Sequence, residues 1–173
     1  MLPSLTFVLG GAASGKSLVA ENIIYNSDLQ LVYVATSRIF DDEMQTKINT
    51  HIARRDARWT TISVEKDIPE VLVKLTNNQA VLIDCVTMWL TNIILDGDDV
   101  DLAQSNFLRA LTASSASLVV VSNEVGQGIV PDNALSRQFR EAQGRLNIAL
   151  AARADCVIHV VAGLSQVLKG PNQ

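Results

Sequence analysis

The sequence predicts an α/β fold with a mainly parallel central sheet covered by helices. Three observations carry this. Short apolar runs recur along the chain, segments of helical composition lie between them, and a glycine-rich phosphate-loop pattern sits where the first run gives way to the first helical segment. Runs without polar alternation suit strands buried on both faces, as in a parallel sheet. Their alternation with helical segments over the whole length implies crossover connections of the usual right-handed kind. The chain has 173 residues, with no internal repeat and no long Pro/Gly/Ser linker, so one domain spanning residues 1–173 is expected. A domain of that length buries roughly 70% of its unfolded surface and needs no staples.

The elements follow in order. Leu5 to Leu9 reads as the first strand and Lys16 to Tyr25 as the helix after it; Leu31 to Ala35 reads as the second strand. Asp42 to Ala53 has an acidic start and a basic end, which agrees with a helix dipole, and Asp41 or Asp42 suits its cap. Trp59 to Val64 adds a further strand, and Pro69 to Leu75 a short helix. Ala80 to Ile83 is a buried strand, followed by helices at Thr87 to Leu95 and Leu102 to Leu111. Between those two helices lies Asp96-Gly97-Asp98-Asp99-Val100-Asp101, which lacks the sixth-position glycine and closing Glu of a calcium loop and reads as a solvated connection. Leu118 to Val121, Ala134 to Ala154 and Cys156 to Val161 complete the pattern as strand, helix and strand.

Composition excludes several classes. Hydrophobic residues make up 48% of the chain and charged ones 18%, which rules out a disordered or low-complexity protein. Fourteen Lys+Arg against 18 Asp+Glu give a formal net charge of -4, which argues against a nucleic-acid partner. Any anion must then be held by a local site. Cys85 and Cys156 form no CxxC, so neither a zinc site nor a disulfide framework is signalled, and a reducing cytoplasm is the expected setting. The first residues lack the positive region of a signal peptide, and no run reaches the roughly 18 uncharged apolar residues of a membrane span. A soluble protein is expected.

Gly10-Gly11-Ala12-Ala13-Ser14-Gly15-Lys16-Ser17 fits GxxxxGK[ST] at every position, and it follows a strand and opens a helix as the motif requires. Its glycines let successive N–H groups and the helix N-terminus face a polyphosphate, and the Lys16 ammonium suits the β- and γ-phosphates. Ser17 offers its hydroxyl to Mg²⁺. A glycine-rich turn that binds nothing matches the pattern but not its setting, so a nucleoside triphosphate is the expected ligand. Such a site also needs a carboxylate near the metal. Asp84 and Glu124 both end apolar runs, where open α/β sheets gather their ligands, and Asp84 is the first choice. A surface carboxylate in a loop stays open for either.

If the helix from Asp42 persists beyond Ala53, Lys47, His51 and one of Arg54 or Arg55 share a face. Neighbouring cations disfavour the imidazolium, which keeps a ring nitrogen lone pair free near neutral pH and attracts phosphates. Those properties suit a nucleophile that attacks phosphorus and carries a phosphoramidate. An exposed helix histidine beside dipole-matching charges fits the same spacing and, on spacing alone, is the plainer reading. His159, within an apolar run, reads as a core or edge histidine.

Several blocks occur together: Gly10-Gly11 opening the phosphate loop, Tyr33-Val34-Ala35-Thr36-Ser37, Asp42-Glu43-Met44, Ile48-x-x-His51, Trp59, Asp84-Cys85-Val86-Thr87, Thr91-Asn92 and Asn123 through Pro131. With them the chain resembles the bifunctional adenosylcobinamide kinase/adenosylcobinamide-phosphate guanylyltransferase family of cobalamin biosynthesis, over nearly its whole length. The resemblance implies a RecA-like P-loop fold, a homotrimer and two activities. ATP or GTP phosphorylates the aminopropanol hydroxyl of the corrinoid, and GMP from GTP then passes to that phosphate through a guanylylated histidine, here His51. It further implies nucleotide contacts at Gly10 to Ser17, at Ala35, Thr36 and Ser37, at Ile52, Ala53, Arg54 and Arg55, at Ser63 and at Asp84, with Mg²⁺ held by Ser17 and Asp84. A monofunctional small-molecule kinase is the alternative. Two positions depart from the family pattern: Ala13 replaces a basic residue common among relatives, and Ser63 stands where the pattern W-x-T-x-E has an acid, with Glu65 two residues later.

Overall fold

A computed structural model describes residues 2–38 and 56–170. The expected helix from Asp42 to Ala53, with His51, therefore lies outside the described residues. Strand β1 (Leu5–Gly10) leads through the phosphate-loop sequence into α1 (Lys16–Tyr25), and β2 (Gln30–Ala35) follows. After residue 56 come β3 (Trp59–Ser63), a short helix α2 (Ile68–Leu72), β4 (Gln79–Asp84), α3 (Val86–Leu95) and α4 (Val100–Ala113). The chain continues with β5 (Ser117–Asn123), α5 (Ala134–Arg153), β6 (Cys156–Val161) and β7 (Leu164–Lys169).

These strands form one sheet in the order β3-β2-β4-β5-β1-β6-β7. Every pairing is parallel except the hairpin of β6 with β7, which is antiparallel. Each central strand presents apolar side chains to both faces, which explains why these runs lack polar alternation. On one face Phe7, Val34, Ile83, Val120 and Val157 meet α2 to α5, where Trp89 stacks on Phe107 with ring centroids 4.9 Å apart. On the other face Val8, Tyr33, Leu82, Val121 and Val160 pack with Ala20 and Ile24 of α1.

Strand β7 has no counterpart among the apolar runs of the sequence. All its residues are exposed, and it lies at the sheet edge, where only one neighbour pairs with it. Such a strand needs no continuous apolar run, so its signal is weak. The expected helix at Pro69 to Leu75 is shorter and begins earlier, with Pro69 in its first turn, where a missing N–H goes unnoticed. The acidic stretch is the α3–α4 connection expected of it: Asp99 caps α4 by accepting from the Leu102 N–H at 3.0 Å.

That connection is tied to the chain after β2. Arg38 pairs with Asp96 at 2.7 Å and with Glu65, and Lys66 pairs with Asp96 at 2.7 Å and Asp98 at 2.9 Å. Arg38 first, and Lys66 after it, hold the Asp96 carboxyl well below the usual carboxylate range, while Asp96 and Asp98 raise the Lys66 ammonium. An unfolded aspartate titrates near pH ~3.9. Below that value the unfolded chain takes up a proton that folded Asp96 refuses, so this contribution to stability is present above pH ~4 and lost as the pH falls. The stability difference between the native chain and Asp96→Asn is therefore expected to narrow between neutral pH and about pH 3 in urea titrations. An unchanged difference across that range contradicts the ion-pair account.

Candidate nucleotide site

The phosphate-loop residues turn between β1 and α1 at the C-terminal edge of the sheet. Two residues in the turn adopt left-handed backbone, Ala13 at φ 55° and Gly15 at φ 92°. Glycine is required at position 15 twice over: a Cβ there would enter unfavourable backbone space and meet the Gly163 Cα at 3.2 Å. At Gly10 a Cβ would lie 2.6 Å from the Val160 carbonyl oxygen, so the strand end also admits no side chain. The Gly163 N–H donates to the Ser14 carbonyl at 2.8 Å, which fastens the turn to the corner between β6 and β7. Ala12 and Ala13 are exposed, whereas Ser14 is buried and its Oγ has no hydrogen-bond partner among the described residues.

Lys16, the first residue of α1, is buried, and its Nζ donates to the Gly11 carbonyl at 2.9 Å. Burial lowers its pKa, against the raising effect of nearby Cys85 and Asp84. That balance places the Asp84 carboxylate within electrostatic reach of the ammonium. Ser17 follows on the first turn of α1, half-buried. Asp84 ends β4, in register with Ala35 of β2 and Val121 of β5. Ala35 in turn pairs with Ser63 at the end of β3. The ends of β2, β3 and β4 thus bring Ala35, Ser63 and Asp84 to the edge from which the phosphate turn rises, with Thr36 and Ser37 next along the chain.

Thr36 is fully buried and clasps the residue after Asp84. Its hydroxyl donates to the Cys85 carbonyl at 2.7 Å and accepts from the Cys85 N–H at 3.0 Å. Asn92 of α3, also fully buried, donates through Nδ2 to the Thr36 carbonyl at 2.8 Å and to the Glu65 carbonyl at 3.0 Å. The Cys85 thiol, desolvated and facing the Asp84 carboxylate, is pushed up to about 11, so it is a neutral thiol at pH 7 and no ready nucleophile. Glu124 is placed differently from Asp84. Its N–H donates to the Gly10 carbonyl at 3.0 Å, but its Oε1 accepts from Gly126 N–H at 2.6 Å, which turns the carboxylate back onto its own loop.

Sequence reasoning assigned no roles to Asn92, Thr87 or the network behind Asn123. Thr87 Oγ1 accepts from the Asn123 N–H at 2.8 Å, and Asn147 Nδ2 donates to the Asn123 carbonyl at 3.1 Å. Ser122 donates to Asn147 Oδ1 at 2.6 Å and accepts from Gln143 at 2.9 Å. An amide in the mostly apolar run Val86 to Leu95, where Thr87 and Thr91 are the other polar residues, was the available signal for Asn92. Glu65, two residues beyond the position of the missing acid, pairs with Arg38, and Ser63 itself is exposed. His51, Ile52, Ala53, Arg54 and Arg55 lie outside the described residues. His159 sits in β6 between Leu9 of β1 and Gln166 of β7, as a strand residue of the sheet.

A first strand flanked by β5 and β6, feeding GxxxxGK[ST] into a helix N-terminus, defines a nucleotide-binding P-loop protein with the RecA-like fold. The sequence matches, over residues 6–168, the CobU family, described as cobinamide kinase / cobinamide phosphate guanyltransferase, and the chain belongs to that family. It is 39% identical over 166 residues to the bifunctional adenosylcobalamin biosynthesis protein CobP of Pseudomonas aeruginosa, covering 94% of this chain and 96% of that one. Its identity to the bifunctional adenosylcobalamin biosynthesis protein CobU of Escherichia coli K12 is 38% over 181 residues, 95% of this chain and 99% of the other. Among solved structures, a Pyrococcus horikoshii OT3 protein aligns with TM-score 0.58 at 12% identity, over 100% of this chain and 90% of that one. An ATPase of a bacterial type III secretion system aligns with TM-score 0.58 at 12% identity, over 95% of this chain and 57% of its own. Those two likenesses concern the fold.

Thr36→Val keeps the shape of the side chain but leaves the Cys85 N–H and carbonyl without their partner. It is expected to destabilise the protein by about 1–3 kcal/mol, read as a lower urea midpoint at unchanged slope, with Thr36→Ser restoring most of the loss. Equal stability of Thr36→Val and the native chain contradicts the clasp.

Proposed function

We propose that the chain, as one domain, carries out both reactions for which its family is named: phosphorylation of cobinamide, and transfer of a guanylyl group to the phosphate so formed. The observation that supports this most directly is the phosphate turn with buried Lys16 and nearby Asp84, in a chain matching the family over residues 6–168. In the first step the acceptor hydroxyl oxygen attacks the γ-phosphorus of ATP or GTP. The bond to the β-phosphate oxygen breaks, a nucleoside diphosphate leaves and the hydroxyl proton is released. In the second, a ring nitrogen of His51 attacks the α-phosphorus of GTP and pyrophosphate leaves. The corrinoid phosphate oxygen then attacks that phosphorus, the P–N bond breaks, and the histidine returns unchanged.

The turn N–H groups and Lys16 hold the phosphates, and catalysis rests on positioning and charge neutralisation. The Ser17 hydroxyl and Asp84 carboxylate are hard oxygen donors, which fit Mg²⁺, an ion that takes few protein ligands and completes its shell with phosphate and water. Among the described residues, no group of three or more His, Cys, Asp or Glu side chains is arranged to hold a metal unaided, and Ser17 and Asp84 would hold the ion together with the nucleotide. Bound there, it supplies charge neutralisation at the phosphate oxygens. Ala35, Ser37 and Ser63 line the strand ends toward the nucleoside, with fully buried Thr36 holding the backbone between Ala35 and Ser37, and Ile52, Ala53, Arg54 and Arg55 flank the histidine as further contacts. Among the described residues no helix is long and apolar enough to cross a membrane, and we take the enzyme to be cytoplasmic and a homotrimer.

Incubation with GTP labelled at the α-phosphate, together with Mg²⁺, is expected to give acid-labile, alkali-stable label on the native chain and none on His51→Ala, which should keep cobinamide phosphorylation within a few-fold. Normal labelling of His51→Ala removes the histidine from the mechanism, and a native chain that phosphorylates cobinamide but never takes label is a monofunctional kinase. Lys16→Met is expected to lower kinase turnover by about a hundredfold or more, from loss of charge at the transferring phosphoryl group.

A further inference from the structure

Strand β5 lies between β4, which ends in Asp84, and β1, which ends in the phosphate turn. Its last residue, Asn123, is in register with Gly10, while Asp84 pairs with Val121, two residues earlier. Asn123 therefore stands about 7 Å further along the strands than the row of Asp84, at the level where the turn begins. Val8, Leu82 and Val121 face α1, so by alternation Gly10, Asp84 and Asn123 face that side too. It is the side on which α1 carries Lys16. Side chains from two helices hold the Asn123 backbone: Thr87 of α3 accepts from its N–H at 2.8 Å, and Asn147 of α5 donates to its carbonyl at 3.1 Å. Asn147 is itself held by buried Ser122 and Gln143, which leaves the clamp few ways to relax. Yet the Asn123 Oδ1 is buried with no hydrogen-bond partner among the described residues. Ser14 Oγ, which a Cβ on Gly10 would meet at 2.5 Å, is a second such atom. An unpaired buried polar atom costs stability, and two of them beside one glycine of a phosphate turn mark a place kept for a ligand.

We propose that the Asn123 amide is a catalytic group of the phosphorylation step: Nδ2 donates to an oxygen of the γ-phosphoryl group, and Oδ1 accepts from the hydroxyl that attacks it. This rests on the function proposed above. One planar amide then touches both reacting partners, which fixes the direction of attack. The last torsion of an asparagine side chain is broad, so the two ends of the amide can exchange places as the ligands arrive. A carboxylate here would repel the phosphoryl oxygens, as Asp84 already does, whereas a neutral amide adds a donor without adding charge. The bonds formed and broken are those of the phosphorylation step already given, and the amide takes up no proton.

The test compares the native chain with Asn123→Ala and the isosteric Asn123→Asp in cobinamide phosphorylation, in α-phosphate labelling at saturating GTP and in urea unfolding. Both substitutions are expected to lower kcat for phosphorylation by about a hundredfold and to raise KM for the nucleotide by about tenfold. Labelling, in which attack falls on the α-phosphorus, should stay within a few-fold of native. The urea midpoint of Asn123→Ala should match native, because no hydrogen bond of the fold is lost with the amide. In a His51→Ala background, chosen to block covalent transfer, the preference for β,γ-imido-GTP over GDP in equilibrium dialysis with Mg²⁺ should narrow by about tenfold on Asn123→Ala. A kcat within about threefold of native overturns the inference, and so does an unchanged preference or a loss of activity matched by a lower urea midpoint. An Asn123→Asp chain that keeps native kcat also overturns it, since only the size of the side chain then matters. A native chain that does not phosphorylate cobinamide overturns the proposed function, and the imido-GTP comparison still decides whether Asn123 meets the γ-phosphoryl group.

Discussion

The contact on which the site depends is backbone against backbone: the Gly163 N–H on the Ser14 carbonyl at 2.8 Å, with Gly163 so close that a Cβ at position 15 would meet its Cα at 3.2 Å. An anion held by peptide dipoles is held well only where those dipoles are already aimed and need not reorganise. A turn of small residues has little side-chain packing to fix its shape. Here the corner of an antiparallel hairpin supplies the missing restraint. Ala162 and Gly163 both take left-handed backbone, at φ 51° and 79°, which is how β6 reverses directly into β7 and brings that N–H under the turn. The exposed edge strand β7 thus serves the site although none of its side chains is buried.

Much of this was legible in the sequence. The phosphate turn announces itself because glycine, lysine and serine are demanded at fixed offsets, and the central strands because burial on both faces leaves little place for polar residues. The clasp around Cys85 was not legible. Thr36 and Cys85 stand 49 residues apart, and Thr36 and Asn92 stand 56 apart, so the partners meet only once the order of β2, β4 and α3 is known. Strand β7 escaped notice for the opposite reason: with one neighbour and no core contact, nothing in its composition is constrained. The role proposed for His51 comes from resemblance to the family, since spacing leaves a nucleophile and an exposed helix residue both open.

Lys16 shows how the fold prepares an anion site before any anion arrives. Placing an ammonium where burial lowers its pKa is unfavourable unless something accepts its protons, and the Gly11 carbonyl does so at 2.9 Å. That carbonyl is a neutral acceptor. A phosphate oxygen carries charge, and a hydrogen bond to an ionised acceptor is roughly twice as strong as a neutral one. Exchange of one for the other needs only rotation within a single flexible side chain, since the turn is fixed by the hairpin corner and the helix start by α1. The same anion opposes the desolvation that lowers the lysine's pKa, so the charge that binding requires becomes easier to hold as binding proceeds. Asp84 tempers this. Its carboxylate favours the ammonium but would repel a phosphate, so an acid at the end of β4 beside Lys16 suits an anion that arrives with its charge partly neutralised.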